Sequence, residues 1–420
     1  MRFLVWLGLA SLCSLGHASI LRAHPASQPL TFAQSIAQAE TAPAVKEIEA
    51  AQSQRRLGLS TISAMTHNPQ LSVEAGYRDD TGGQGAVVQV AVSQGFHLSG
   101  YRAARKQSIE EENAALAHEL HSVKFRQKLG VVRLWMALWA QEQVEQLSQE
   151  EVALATQIVA QTERLFQAGA ATQVDVTTAQ TYLAEQKAQQ LSAEGEVVEQ
   201  GLVLGQFIGQ KEAVHAAGDP DPVTLPLVQP SLIEEAQRRI ATLPEPQHKW
   251  SQAQVDKAHA HEAVTQRGSQ LWLGALALRE PTAPYAVFGT LALSIPAFDR
   301  GQREQTELLA SAARQKVAAQ AAEHSALIDL KQTLHDVEHY GQLHNILFAQ
   351  LLPAAQRQVE LRQRLLLAGD GTILEVLMAR RSHLQAKAQA ARAKAMLASS
   401  QHRLALYLTA LGLRNAESAP

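Results

Sequence analysis

Alternating apolar and polar residues predict four β-strands arranged in two pairs. In the segment LSVEAGYR, the apolar side chains of Leu71, Val73 and Tyr77 alternate with polar side chains. This period of two is typical of a sheet with one apolar and one polar face. A second alternating run follows the turn-prone segment DDTGGQGA, and LWLGALALRE and AVFGTLALSIP form a less regular pair. The pattern predicts strands at about 70–79, 86–95, 270–279 and 286–295.

Long stretches with helical periodicity follow each pair of strands. No proline occurs at 103–167, and at roughly 1.5 Å per residue a helix over this run would extend about 100 Å. Its apolar residues form two neighbouring stripes, which predict packing partners on both sides, as in a cylinder of helices. A heptad pattern runs from Leu330 to Ala355, and Pro353 predicts a local kink in the helix that contains it.

The same order of elements occurs twice along the chain. RLFQAGAATQVDVTTAQ, around Gly169, matches RLLLAGDGTILEVLMAR, around Gly369, and further matches in the hairpins keep nearly the same offset. We predict two repeats, at 31–209 and 231–412, each with the order helix, strand, strand, very long helix, tight turn and long helix. The chain is therefore expected to be a mainly α protein with a small β part.

The segments around the repeats are predicted as linkers and a tail. We expect an N-terminal linker at 19–30, a proline-rich linker at 210–230 and a flexible tail at 413–420. Thr31 and Ser231 stand where helix N-caps belong, and each opens an amphipathic stretch of about 30 residues.

The first eighteen residues indicate export from the cytoplasm. A positively charged start precedes an apolar run from Phe3 to Leu15, and small residues follow where signal peptidase cleaves. The run is too short to span a bilayer, so we predict a signal peptide at 1–18. The only cysteine, Cys13, lies inside it and follows Leu12, where lipoprotein processing requires a small residue. We expect a mature chain without lipid and without thiols.

Composition and charge narrow the function. Only 5% of residues are aromatic, and alanine, glutamine, leucine and glutamate recur in long stretches, which favours long helices. A formal net charge of -3 gives no electrostatic reason to expect nucleic-acid binding. After the signal peptide, no apolar stretch is long enough for a transmembrane helix. An exported chain of this kind is periplasmic, released, or inserted through strands.

Strand length and strand number together point to an oligomer. Strands of this length cross a bilayer when tilted, but the smallest membrane barrels have about eight strands, and lipid does not tolerate an open sheet edge. If the strands lie in a membrane, the chain must share a barrel with other copies, and three copies would supply twelve strands. The alternative is a small soluble hairpin pair packed on the helices.

The tight turns between long helices carry residues suited to ending and starting helices. Gly169 and Gly369 can adopt the left-handed conformation that ends many helices. Thr172 and Thr372 can then cap the returning helices. A carboxylate follows in each first turn, Asp175 and Glu375, where it interacts favourably with the helix dipole.

The two-copy layout, the RLFQAG…T…DV and RLLLAG…T…EV turns, and the HNPQLSVE segment before the first strand resemble the outer-membrane efflux protein family, the TolC type. The resemblance spans nearly the whole mature chain. It implies a homotrimer in the outer membrane of a Gram-negative bacterium, with a twelve-stranded β-barrel and a long periplasmic tunnel of helices. A periplasmic adaptor and an inner-membrane RND pump would be its partners. It implies a passive conduit that is not an enzyme and has no cofactor.

The HNPQLSVE wording resembles the heavy-metal branch of the family, the outer component of cobalt, zinc and cadmium pumps. Channels for drug efflux and type I protein secretion share most of these features and stay open as alternatives. From another class, a periplasmic coiled-coil adaptor or a soluble scaffold would also combine an exported chain with long helices. An adaptor should have one central hairpin rather than two copies of one layout.

The resemblance also implies roles for the helical tips. Family members place acidic residues around the closed periplasmic mouth, at positions that match Asp175 and Glu375. A second acid three residues further on, found in some members, is replaced here by Thr178 and Met378, so we expect a less acidic mouth. The residues expected at the tips and in adaptor docking are Arg164, Gly169, Thr172, Arg364, Gly369 and Thr372.

Three groups of histidines suggest metal chemistry. The sequence from His335 to His339 reads H-x-x-E-H, a spacing used by one group of zinc peptidases. The pattern is short and lies within the heptad helix, so a peptidase is not expected. His259 and His261 are weak candidates for transient metal contacts, as are the histidines of the HELH segment. A solvated helix surface is the favoured explanation for these last two groups.

Overall fold

The computed structural model describes residues 29–60, 67–80, 83–220, 223, 225, 230–280 and 285–413. The first half contains β1 (Pro29–Thr31), α1 (Phe32–Ala39), α2 (Pro43–Ser60), β2 (Gln70–Asp80), β3 (Gly83–His97), α3 (Tyr101–Gln167), α4 (Gln173–Ile208) and β4 (His215–Ala217). The second half contains α5 (Pro230–Arg238), a 3-10 turn (Ile240–Thr242), α6 (Pro244–Gln266), β5 (Gln270–Arg279), β6 (Ala286–Ser294), α7 (Gln302–Ile346), a π-helical segment (Leu347–Leu351), α8 (Leu352–Ala368) and α9 (Ile373–Ala410). The protein is mainly helical with a small antiparallel sheet.

The first helix of each predicted repeat is interrupted by a break that the sequence analysis missed. Thr31 does cap α1, and its side chain accepts a hydrogen bond from the backbone N–H of Gln34. Instead of one stretch of about 30 residues, α1 ends and α2 begins at Pro43. The prediction for Ser231 is wrong, because this residue lies inside α5, and the helix breaks again before Pro244. A proline has no N–H to donate to a preceding turn, and it therefore suits the first position of the new helix.

All four predicted strands are present and form one sheet. The strand order is β2-β3-β5-β6, every neighbouring pair is antiparallel, and β2 and β6 are the outer strands. The central pairing joins strands from the two halves of the chain, since β3 pairs with β5. One sheet edge therefore comes from each half of the sequence.

The long helices pack into an elongated bundle. α3 contains 67 residues, as its lack of proline predicted, and it packs against α4, α6 and α9. The main core surrounds the middle of α3, where Trp135, Met136 and Leu138 are almost completely buried. Leu204 of α4 and Phe32 of α1 contribute to the same core. Among the helices that the structure describes, none is long and apolar enough to cross a membrane.

A short parallel pairing ties the start of the described chain to the segment between the repeats. β1 pairs with β4, with Leu30 opposite Ala216. Both strands lie in or next to segments that were predicted to be linkers, at 19–30 and 210–230. Glu142 of α3 holds β4 in place: its carboxylate accepts hydrogen bonds from the backbone N–H of Ala216 at 3.0 Å and from His215 Nδ1 at 2.9 Å. Burial of Glu142 raises the pKa of its carboxyl group.

The irregularity predicted at Pro353 takes the form of a π-helical segment. This segment separates α7 from α8 and ends two residues before Pro353. Because proline provides no N–H and its ring collides with the preceding turn, the backbone there cannot keep the regular hydrogen-bond ladder. The corresponding part of α3 is continuous. The two predicted repeats therefore differ in the middle of their long helices.

Several predictions lie outside the described residues. The signal peptide at 1–18, with Cys13, is among them, as are most of the N-terminal linker at 19–30 and of the tail at 413–420. Part of the proline-rich linker at 210–230 also lies outside.

Candidate functional site

One side of the four-stranded sheet is lined almost entirely by apolar residues. The cross-strand register places Val73 opposite Val90, Val90 opposite Ala277 and Leu273 opposite Leu291, so these side chains share one side. We call this side the apolar face. It consists of Leu71, Val73, Ala75, Tyr77, Val88, Val90, Val92, Leu271, Leu273, Ala275, Ala277, Val287, Leu291 and Leu293.

The apolar face is exposed in the single chain. The exposed fraction is 63% for Val73, 72% for Leu291 and 76% for Val287. Along β5, residues of the apolar face from Leu273 onward are exposed, whereas the residues between them are partly covered. On the inner strands β3 and β5, the apolar side is therefore the more exposed side of the sheet, whereas the edge strands β2 and β6 are exposed on both sides. Contiguous exposed apolar patches of this kind mark contact with a membrane or with another protein.

On β2 and β3, the opposite side of the sheet is more polar. Ser72, Glu74 and Gln89 lie there, with Glu74 directly opposite Gln89. In β5 and β6 the same side carries Leu276 and Phe288, which explains why the second hairpin alternates less regularly in sequence. Arg78 and Glu280 form an ion pair at 3.3 Å near the turn end of the sheet.

Exposed aromatic side chains flank the apolar face at both ends. Tyr77 and Tyr285, near the hairpin turns, are 71% and 77% exposed, and Phe298, beyond the end of β6, is 96% exposed. Membrane β-barrels carry aromatic girdles where the apolar band meets the interfaces. The sheet therefore has exposed aromatic side chains near both of its ends.

The two helical tips are built alike. At the first tip, Gly169 has a φ of 74°, its N–H donates to the carbonyl of Phe166, and the N–H of Ala170 donates to the carbonyl of Leu165. At the second tip, Gly369 has a φ of 84° and the same two hydrogen bonds recur around it. This pattern satisfies carbonyls left free at the end of a helix and requires the left-handed backbone that glycine adopts without steric cost.

Both returning helices begin with the predicted caps. The backbone N–H of Thr172 donates to the Asp175 carboxylate at 2.8 Å, and the N–H of Asp175 donates to the Thr172 hydroxyl at 3.2 Å. Thr372 and Glu375 make the same reciprocal pair at 3.2 and 3.3 Å. Each pair satisfies two backbone donors at the helix start. The structure thus shows the capping role of both carboxylates.

The two tip carboxylates have different electrostatic surroundings. Hydrogen bonds from the Thr172 hydroxyl and backbone lower the pKa of Asp175, so its carboxylate stays charged over a wider range of pH. Glu375 also forms an ion pair with Arg362 at 3.2 Å, which offsets part of its charge. Sequence reasoning missed this partner. Thr178, the residue three positions after Asp175, donates its hydroxyl to the carbonyl of Val174.

The predicted tip residues lie at the surface. Just behind them, the helical hairpin of α3 and α4 packs against that of α8 and α9. Arg164 and Arg364 are exposed, as are Gly169, Thr172, Gly369 and Thr372. Leu377, two residues after Glu375, packs in a small core with Tyr182 and Ala155 of the other hairpin. The tips also expose apolar side chains, among them Leu367 at 82%, Val174 at 72% and Met378 at 64%. Both tips therefore belong to one end of the bundle.

A charged cavity behind the tips was not predicted. It has a volume of about 230 Å³ and lies between α3, α8 and α9. The buried carboxylate of Glu151 lines it and accepts a hydrogen bond from the Tyr182 hydroxyl at 2.6 Å. Burial and this carboxylate raise the pKa of Tyr182. His383 lines the cavity as well, and burial, together with nearby Lys387, lowers its pKa. The sequence gives no signal for this site, because its side chains come from three helices.

The predicted metal contacts at His259 and His261 are not brought together as a site. His259 Nε2 lies 2.6 Å from the carboxylate of Glu112, which also pairs with Arg55 at 2.8 Å. His261 is exposed on the same helix. Within the described part of the chain, no group of three or more histidine, cysteine, aspartate or glutamate side chains is placed to hold a metal ion. His335 and His339 of the H-x-x-E-H segment do lie side by side, with ring centres 5.8 Å apart.

No protein-family model matches the sequence, and no curated protein matches it in sequence. The fold, however, is that of solved membrane channels. CusC, studied for its folding and transmembrane channel formation, has a TM-score of 0.73 at 14% identity, with 95% of both chains covered. The outer membrane protein VceC from Vibrio cholerae has a TM-score of 0.67 at 16% identity, covering 91% of this chain and 96% of that one. The CmeC outer membrane channel of Campylobacter jejuni has a TM-score of 0.70 at 13% identity, covering 91% and 85%.

At these low identities, the TM-scores establish a shared fold and nothing more. The structural neighbours are channel proteins of the outer membrane and not enzymes. The likeness extends over nearly the whole of each chain, including both the sheet and the helical bundle.

Proposed function

We propose that the chain is one subunit of an outer-membrane channel that serves a tripartite efflux system. The observation that carries this proposal is the exposed apolar face, which lies on a sheet with one outer strand from each half of the chain. Contact between that face and lipid carries no free-energy cost, whereas its contact with water is unfavourable. The shared fold with outer-membrane channels supports the same conclusion.

The four strands require other copies of the chain. The outer strands β2 and β6 offer backbone donors and acceptors that lipid cannot satisfy. Three copies would join β2 of one chain to β6 of the next and close a barrel of twelve strands. The helical bundles would then form one long tunnel in the periplasm of a Gram-negative bacterium. A periplasmic adaptor and an inner-membrane RND pump would deliver the cargo to it.

We propose heavy-metal cations as the cargo. The support is the HNPQLSVE segment, which leads into β2 and forms its first residues, and the carboxylates at both tips, which favour cations near a narrow mouth. Drug efflux and protein secretion remain the alternatives within this function. A periplasmic adaptor or scaffold, the alternative from another class, gives no reason for the apolar face, since such a protein would expose it to water.

Extraction from membranes tests the channel proposal directly. After expression with its own N-terminus, the protein should be found in the outer-membrane fraction and should be released by detergent but not by salt or alkali. Light scattering of the detergent-solubilised protein should give the mass of three chains once bound detergent is subtracted. A monomer that is freely soluble in the periplasm would overturn the proposal and would favour the scaffold.

The tip carboxylates offer a second test through ion selectivity. Replacing Asp175 with asparagine removes its charge but keeps an oxygen that can cap α4. In planar bilayers, we expect the cation preference to fall about tenfold, because a trimer loses three charges and each contributes roughly 0.5 kcal/mol at about 8 Å in water. Glu375→Gln should have a smaller effect, because Arg362 already offsets that charge.

Alanine at the same positions separates charge from capping. Asp175→Ala removes both the charge and the oxygen that accepts from the Thr172 N–H, and it should add a local stability loss of about 1 kcal/mol, the net value of one hydrogen bond, seen as faster proteolysis at the tip. If Asp175→Asn and Asp175→Ala both leave selectivity and conductance unchanged, Asp175 acts only as a cap.

A further inference from the structure

Two histidines of α7 form an isolated pair on an open helix surface. His335 and His339 are four residues apart, so they lie one above the other on the same side of the helix. Both are exposed, their ring centres are 5.8 Å apart and their ring planes differ by only 17°. The helix itself therefore holds the two imidazoles next to each other.

The neighbouring polar groups are engaged elsewhere. Asp336 points to the other side of the helix, where it pairs with Arg403 at 3.8 Å. Glu338 accepts a hydrogen bond from Gln342. Tyr340 contacts the His339 ring through an edge-to-face arrangement. Among the described residues, neither imidazole of the pair takes part in a hydrogen bond, in contrast to His259 with Glu112. Their ring nitrogens are available for a ligand.

We propose that His335 and His339 chelate one exchangeable divalent transition-metal ion, with Zn²⁺ and Cu²⁺ as the best matches. Imidazole nitrogen suits both metals. A metal about 2.0–2.1 Å from one nitrogen of each ring lies roughly 3.2 Å from each ring centre, so two rings on a tetrahedral metal have centres roughly 5.2 Å apart. The observed 5.8 Å is slightly longer, and chelation requires both exposed side chains to rotate so that one nitrogen of each ring faces the metal.

Two protein ligands leave the remaining coordination positions to water or to groups on other molecules. Structural zinc sites are closed by four protein ligands, and catalytic ones have three. The pair is therefore a site of rapid exchange, and the described residues supply no third ligand of the kind that a zinc peptidase would need. This inference concerns one helix of one chain and does not depend on the channel proposal.

The test is a titration of the purified, detergent-solubilised full chain with Zn²⁺, followed by calorimetry. We expect that the sites with the highest affinity for Zn²⁺, the tightest class, hold one ion per chain. His335→Ala and His339→Ala should each weaken this class about 100-fold, since loss of one arm of a chelate removes the effective-concentration advantage of the other. Cu²⁺ should bind more tightly than Zn²⁺, as the general order of divalent metals predicts.

Two controls separate chelation from the presence of a histidine. His324→Ala removes a lone exposed histidine from the same helix and should leave the tightest class unchanged. A double variant, His339→Ala with Tyr340→His, keeps the number of histidines but moves one to a different side of the helix, and it should bind as weakly as His339→Ala. Equal affinity in this respaced variant and in the original chain would overturn the proposal.

A measurement on the unaltered chain covers the case in which a variant fails to fold. Zn²⁺ should protect His335 and His339 from diethylpyrocarbonate, as read by mass spectrometry of peptides, while His324 stays reactive. Equal modification of the pair with and without Zn²⁺ would contradict the proposal as well.

Discussion

Replacing Val90 with arginine is expected to prevent stable insertion of the chain into the outer membrane. Val90 lies on the inner strand β3, opposite Val73 on one side and Ala277 on the other, in the middle of the apolar face. An arginine near the bilayer midplane of a membrane strand costs about 2–4 kcal/mol. In a trimer the same cost recurs in every copy. The amount of folded protein in the outer-membrane fraction should fall at least about tenfold, since roughly 1.4 kcal/mol corresponds to a factor of ten.

The residue next to Val90 provides a matched control. Gln89 lies on the opposite side of the sheet, directly across from Glu74. Gln89→Arg adds the same side chain to the same strand, but it places the charge beside a carboxylate and away from the proposed lipid contact. Membrane yield should stay close to that of the unaltered chain. If both variants insert equally well, the apolar face does not contact lipid, and the face must be covered by protein instead.

Elements with a local pattern were predictable from the sequence. The first pair of strands follows from alternation, and the register confirms that Leu71, Val73 and Tyr77 share one side. The length of α3 follows from the absence of proline and from continuous helical periodicity. The tips follow from glycine, whose left-handed backbone is observed at Gly169 and Gly369. In each case a few neighbouring residues determine the conformation.

Elements that depend on distant residues were missed. β1 and β4 are three residues long, too short to show alternation, and their pairing depends on Trp135 and Glu142 of α3. The break before α2 is decided by packing, since Pro43 alone permits either a start or an end of a helix. The predicted cap at Ser231 was wrong, because α5 begins one residue earlier, at Pro230.

In the candidate sites too, contacts between neighbouring residues were predictable and contacts between distant residues were not. Sequence could identify Asp175 and Glu375 as caps, since each partner lies three residues away. It could not identify Arg362 as the partner of Glu375, because that contact depends on the register between α8 and α9. The pairing of His259 with Glu112 joins α6 to α3, and a contact between residues so far apart in sequence could not be predicted. His335 and His339 lie on one helix, so their spacing sufficed to place them together.

The second large effect is expected in the core, from Trp135→Ala. The side chain of Trp135 is fully buried, meets the Phe32 ring edge-on with ring centres 5.3 Å apart, and donates its Nε1–H to the Leu30 carbonyl at 3.0 Å. Its loss removes a large apolar volume and leaves that carbonyl without this partner. Large-to-small changes of this kind cost about 3–5 kcal/mol. We expect a lower thermal midpoint in detergent and faster hydrogen exchange in β1 and α1.

Trp250→Ala is the control that makes this expectation specific. Trp250 is only partly buried, and its Nε1–H donates to Glu323 at 2.8 Å. The substitution removes the same indole and one hydrogen bond from its Nε1–H, here to a carboxylate, but water can replace that bond and less apolar area is lost. The thermal midpoint of Trp250→Ala should fall less than that of Trp135→Ala, and hydrogen exchange in β1 and α1 should not change. Equal losses in the two variants would mean that Trp135 contributes only its volume and does not tie the N-terminal strand to α3.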